Sequence, residues 1–177
     1  IVCLGAVASY LKAVRVDLDK DTLCPKGATN TAHTAILVDK TDFLTELQGL
    51  RLREMILATR DRLAIGDRLS LILLDENSDR GEISPIFSLC KPADGIRASV
   101  IYQNPRLIRR RFARSFGIPL DQAISELLVA SQAPRSPLVE ALSYIAAWPV
   151  FASDIHRTII FVSDFLQHTP PKFSHYT

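Results

Sequence analysis

One stretch constrains this chain more than any other: a short apolar run, a helical pattern and a second apolar run between Thr34 and Leu74. Ala35 to Val38 is apolar and ends abruptly in Asp39, with a hydroxyl two residues on at Thr41. Thr45 and Gln48 have capping-box spacing, which opens a helix to about Ala64 with Leu52, Met55, Ile56 and Leu63 on its buried side. Gly66-Asp67 stops that helix, and Arg68 to Leu74 reads as the next strand. A strand-helix-strand crossover of this length implies a parallel, right-handed pair, and so an α/β sheet. Ligands of open α/β sheets sit beyond the carboxyl ends of the strands, which is where Asp39 and Thr41 fall. A later apolar run, Thr158 to Val162, ends the same way in Ser163-Asp164.

Between these runs the chain alternates strand and helix signals. The turn cluster from Glu76 to Gly81 leaves no room for a helix before Ile83 to Leu89, so the third strand is expected to return antiparallel to the second. Pro92 to Asn104 reads as irregular. Pro105 starts a strongly basic helix to Phe116, expected to break at Gly117. A further helix follows from Leu120 to Ala130, with Ala123, Ile124, Leu127 and Leu128 apolar. Ser136-Pro137 has the form of an N-cap with Pro at the first helical position, opening a helix to about Trp148. The tail from Gln167 to Thr177, with Pro170-Pro171, reads as irregular.

A chain of 177 residues, 47% hydrophobic and 23% charged, can bury the core of one domain and is not broadly disordered. Its formal net charge of +2 is too small to argue for nucleic acid by itself. Ile1 to Leu11 is nearly continuous apolar sequence, shorter than the roughly 20 residues a membrane span needs. Residues 1–16 therefore read either as the end of an N-terminal membrane helix or signal anchor, or as an apolar edge of the domain. Lys12 and Arg15 lean towards a cytoplasmic flank. Residues 17–33 read as a linker and 34–177 as the domain.

Cys3 lies in the apolar run and reads as inert. Cys24 and Cys90 lie in Pro-flanked turns, either as two free thiols or as a disulfide. The expected topology puts both at the bottom of the sheet, where they could pair. A bridge would mean folding outside the reducing cytosol, in the periplasm for a bacterial protein, whereas free thiols would suit the cytoplasm.

The order of strand, Asp-x-Thr, helix, strand, antiparallel strand, helices, Ser-Pro cap, helix, strand and Ser-Asp resembles the von Willebrand factor type A family, the integrin I-domain-like fold. That resemblance implies a three-layer, Rossmann-like sheet, mostly parallel with one antiparallel edge strand and helices on both faces. It also implies a metal-ion-dependent adhesion site built from three loops. Asp39 and Thr41 match the first loop, Ser136 before Pro137 the second and Asp164 the third. Phe43 stands where the family has a second serine, so one oxygen ligand is missing, and Asp42 is an extra acid beside it. The family's last strands would fall beyond Thr177, which makes the sheet incomplete on this reading. The stretches Thr22-Leu-Cys-Pro25, Phe87-Ser-Leu-Cys90 and Ser163 to His168 look like a bacterial, membrane-tethered branch.

A hard cation with oxygen ligands suits these residues, Mg²⁺ before Ca²⁺ or Mn²⁺, with one coordination position open to a partner's acid. The expectation is a non-enzymatic protein-interaction module in a membrane-associated assembly, its site either working or a relic without metal. Each residue also has a plain structural role: Asp39 can cap a helix, Ser136 is a routine N-cap, and Asp164 can bond a loop.

Two other classes compete. A phosphatase or phosphotransferase of the haloacid dehalogenase type would use Asp39, but wants an acid where Thr41 stands; Asp42 comes one position late. A nucleic-acid or acidic-surface binder would use Arg106, Arg109, Arg110, Arg111 and Arg114, which can form a helical stripe; the simpler reading is a solvated face. His33, His156, His168 and His175 lack metal-ligand spacing, and neither a Gly-rich phosphate loop nor a nucleophile elbow is present.

Overall fold

A computed structural model describes residues 17–27, 32–39, 44–74, 84–99, 103–129, 138–154 and 156–163, with the backbone of 168–169 and 173–174. Four strands form one mixed sheet in the order β3-β2-β1-β4: β1 (Ala32–Asp39), β2 (Arg68–Leu74), β3 (Pro85–Cys90) and β4 (His156–Val162). β1 runs parallel to both β2 and β4, while β3 lies antiparallel on the edge. This is the sheet expected from the crossover length and the short β2–β3 connection. The third strand starts at Pro85 rather than Ile83, beside a register shift between Leu71 and Ile72. A proline has no N–H for the ladder and is tolerated at the first residue of an edge strand.

The period-two alternation of β1 sorts its side chains onto two cores. Ile36 and Val38 face Leu52 and Ile56 of α1 (Glu46–Arg62) and the helical turns that carry Phe116, Leu120, Ile124 and Leu127. Ala35 and Leu37 face α4 (Leu138–Ala147) and the short α5 (Pro149–Ala152), through Leu138, Ala141, Ile145 and Phe151. Helices therefore cover both faces of the sheet. The capping box of α1 is present in full: the Thr45 hydroxyl accepts from the Gln48 N–H, and Gln48 Oε1 accepts from the Thr45 N–H at 2.8 Å. Gly49 lies where this helix closely approaches the helical turn that carries Leu128: an added Cβ would stand 3.2 Å from Leu128 Cδ2, and that side chain would have to give by a few tenths of an ångström.

The expected break at Gly117 does not occur. α2 (Pro105–Phe112) continues through a π-helical turn at Ala113–Gly117 into α3 (Ile118–Leu128). Gly117 keeps right-handed helical angles, and the Ile118 N–H reaches back to the Ala113 carbonyl. The physical reason is Pro119, which has no N–H to give and crowds the preceding turn; the wider π-turn absorbs that clash without ending the helix. Two smaller departures follow the prolines. The helix expected to reach Trp148 ends at Ala147 and restarts at Pro149, and the tail is not wholly irregular, because His168–Thr169 (β5) pairs with Phe173–Ser174 (β6).

Cys24 and Cys90 stand at disulfide distance, with Sγ atoms 2.07 Å apart. The bridge ties segment 17–27 to the end of β3, and the Cys90 N–H donates to the Thr22 carbonyl beside it. No helix among the described residues is long and apolar enough to cross a membrane. Ile1 to Leu11 lies outside the described residues, as do the turn cluster Glu76 to Gly81 and the Ser136-Pro137 cap.

Candidate functional site

β1 and β4 are neighbours in parallel register, Val38 opposite Val162, so Asp39 and Ser163 at the ends of the two strands share one rim. Asp39 is 8% exposed there, and its Oδ2 accepts a hydrogen bond from the Ser163 hydroxyl at 3.1 Å. A carboxylate this enclosed needs polar partners, and the strand end supplies one. α4 is oriented towards the same rim. Its C-terminal end lies near the start of β1, where the Trp148 ring is 5.6 Å from that of His33, and ten helical residues rise about 15 Å. Leu138, its first residue, thus stands towards the Asp39 end. Thr41, Asp42, Phe43, Ser136 and Asp164 lie outside the described residues. Of the expected ligands the structure therefore describes Asp39 alone, together with the strand and helix ends that lead to the others. Among the described residues no three His, Cys, Asp or Glu side chains form a metal-binding group.

At the opposite edge of the sheet lies a polar cluster that sequence reasoning missed. His33 is 0% exposed. Its Nδ1–H donates to Asp154 Oδ2 at 2.9 Å, and the Ser70 hydroxyl donates to Nε2 at 2.8 Å. Ser70 in turn lies 2.9 Å from the Ser88 hydroxyl on β3, so hydrogen bonds run across three strands. Trp148 and Phe151 close the imidazole in edge-on contacts. Burial drives the His33 pKa down to about 4; the Asp154 carboxylate opposes that shift and Arg68 adds to it. Arg68 is itself lowered by burial, and its Nη2 donates to Cys24 Sγ at 3.0 Å. The Asp–His–Ser connectivity is that of a catalytic triad, but Ser70 is 0% exposed and its oxygen faces Ser88, so no substrate reaches it. The cluster locks three strands and the α5–β4 turn together. The readable signal was a lone serine inside each of two apolar strands, Leu69-Ser-Leu71 and Phe87-Ser-Leu89, beside a histidine at a strand start.

The five arginines of the basic helix, Arg106, Arg109, Arg110, Arg111 and Arg114, are all exposed. Asn104 caps that helix by accepting from the Leu107 N–H at 3.1 Å. Arg106 and Arg109 border a concavity beside the loop at Gly95.

Comparison with known protein families, with curated proteins and with solved structures finds no match for this chain.

Proposed function

We propose that the chain is a non-enzymatic interaction module of the von Willebrand factor A type, which docks another protein at the Asp39 rim. The observation that carries this reading is the enclosed Asp39 carboxylate at the carboxyl end of β1, bonded to Ser163 from the neighbouring parallel strand. Two loop ends meet there at the point where open α/β sheets take their ligands. The strand order with its antiparallel edge, and α4 pointing its first residue towards that rim, support the same family reading.

In this reading a divalent cation, Mg²⁺ by the hardness of its donors, is held by Asp39 and Thr41 from the first loop, Ser136 from the second and Asp164 from the third. The cation supplies an open coordination position for an acidic side chain of the partner. Phe43 removes one oxygen from the family's set, and Asp42 offsets part of that loss. The Cys24–Cys90 bridge supports work in an oxidising compartment, the periplasm for a bacterial chain. Residues 1–16 would hold the domain to a membrane-associated assembly.

Thermal melting during a magnesium titration tests the site. A ligand at about one hundred times its Kd stabilises by about 2.7 kcal/mol, a rise of roughly 5–10 °C for a domain of this size. The wild type should show that rise and Asp39→Ala should not. Equal responses from the two proteins would leave the rim without a metal.

A further inference from the structure

The edge of the sheet opposite Asp39 carries a second surface with its own chemistry. Two adjoining concavities of about 640 and 630 Å³ share Gly95, Ile96, Ala98 and Gln103 in their walls. Arg62 and Arg97 line the first, and Arg106 and Arg109 line the second. All four guanidinium groups are exposed, and none has an ion pair among the described residues. Lys91 is different. Its ammonium is buried and committed to the structure, donating to the Leu63 carbonyl at 2.8 Å and the Asp61 carbonyl at 3.3 Å at the end of α1. Asp94 lies 4.0 Å from that ammonium, and its Oδ1 caps the Ile96 N–H at 2.9 Å. One of the two carboxylates lining the space is thus turned to internal contacts, and the arginines leave it positive overall.

The shape is fixed by a tight contact. Gly95 has φ +78°, and a Cβ there would stand 3.1 Å from the Pro105 carbonyl oxygen and 3.2 Å from Arg109 Cγ. The loop therefore presses against the first turn of α2 at a position only glycine fills without strain. Beside this floor Ile96 is 79% exposed and Ile65 is also open to solvent, so apolar surface alternates with the guanidinium groups. Arg110, Arg111 and Arg114 extend the positive field along the helix away from the concavities.

We propose that this surface binds an acidic peptide segment of a partner protein, one that interleaves carboxylates with aliphatic side chains. Charge complementarity sets the sign of the occupant: exposed guanidinium forks with no ion pair among the described residues take carboxylates with two parallel hydrogen bonds. The exposed isoleucines select an occupant that also brings apolar side chains. Concavity selects a chain segment over a flat surface, because volumes of this size take side chains that a membrane plane cannot insert. The three outlying arginines steer the encounter and make it salt-dependent. This site lies at the opposite end of the sheet from Asp39 and does not rest on the rim reading.

The test is fluorescence anisotropy of a labelled peptide of alternating glutamate and leucine, titrated with the full chain at low and at high salt. Vesicles of phosphatidylglycerol and a DNA duplex serve as competitors. Binding should weaken about tenfold in Arg106→Glu/Arg109→Glu, two charge reversals at exposed pairs, and should also weaken as salt rises. Asp39→Ala should bind as the wild type does, and an unchanged melting curve should show that the double variant is folded. Absence of peptide binding, or binding indifferent to the double variant, would overturn the proposal. So would displacement of the peptide by vesicles or DNA at lower concentration than by unlabelled peptide.

Discussion

Protonation of His33 should weaken the fold, and the structure sets how much. The folded pKa is about 4 against an ordinary 6.5, because burial disfavours the imidazolium more than Asp154 favours it. A depressed histidine pKa leaves stability whole above pH 6.5 and removes it as pH falls towards 4, since only the unfolded chain takes up the proton in that window. The full shift corresponds to about 3 kcal/mol at 1.36 kcal/mol per pH unit, and at pH 5 to about 2 kcal/mol. Protonation also demands a rearrangement: Nε2 becomes a donor, so Ser70 must turn to accept from it and then donate to Ser88. The assay is urea unfolding from pH 8 to pH 4.5 for the wild type and for His33→Gln, which cannot titrate. The wild type should lose about 2 kcal/mol more than the variant between pH 7 and pH 5. Parallel pH profiles for the two proteins would refute the assignment of a buried, neutral imidazole.

Two further outcomes follow from the fold. Reducing the Cys24–Cys90 bridge opens a loop with a sequence separation of 66, which costs about 4 kcal/mol by chain entropy. Melting with and without reductant should therefore differ by roughly 8–16 °C, and Cys24→Ser/Cys90→Ser should melt like the reduced protein. Thr45→Ala removes one half of the capping box on α1 and should cost about 1 kcal/mol in chemical denaturation, with little change in the slope of the transition.

What could be read from the sequence divides along the range of the interactions. β2 and the capping box of α1 depend on local pattern, and both stand where that pattern puts them. The antiparallel edge strand followed from a connection too short for a helix. The break expected at Gly117 rests on glycine's local tendency to end a helix; here the π-turn carries the helix through it, and a three-dimensional packing need decides the matter. Phe116 within that turn is fully buried, stacks on Phe112 and meets Phe87 edge-on, so breaking the helix would have cost that contact. His33 and Asp154 are 121 positions apart, and no spacing rule links residues so distant. Asp39 was legible because a strand end is a local feature, whereas the wall made by Arg62, Arg97 and Arg106 exists only after three separate segments meet.

The bridge at the foot of the sheet also fixes how the domain carries mechanical load. Tension applied at residue 17 and at the C-terminal side crosses from Cys24 directly to Cys90, bypassing everything between them. β1, α1, β2 and β3 all lie inside that covalent loop, so three of the four sheet strands are sheltered from stretching while the sulfurs stay joined. Among the described elements, β4, the β5–β6 pair and the helices after Cys90 remain in series with the pull. A reductant would place the whole sheet in the path of the force.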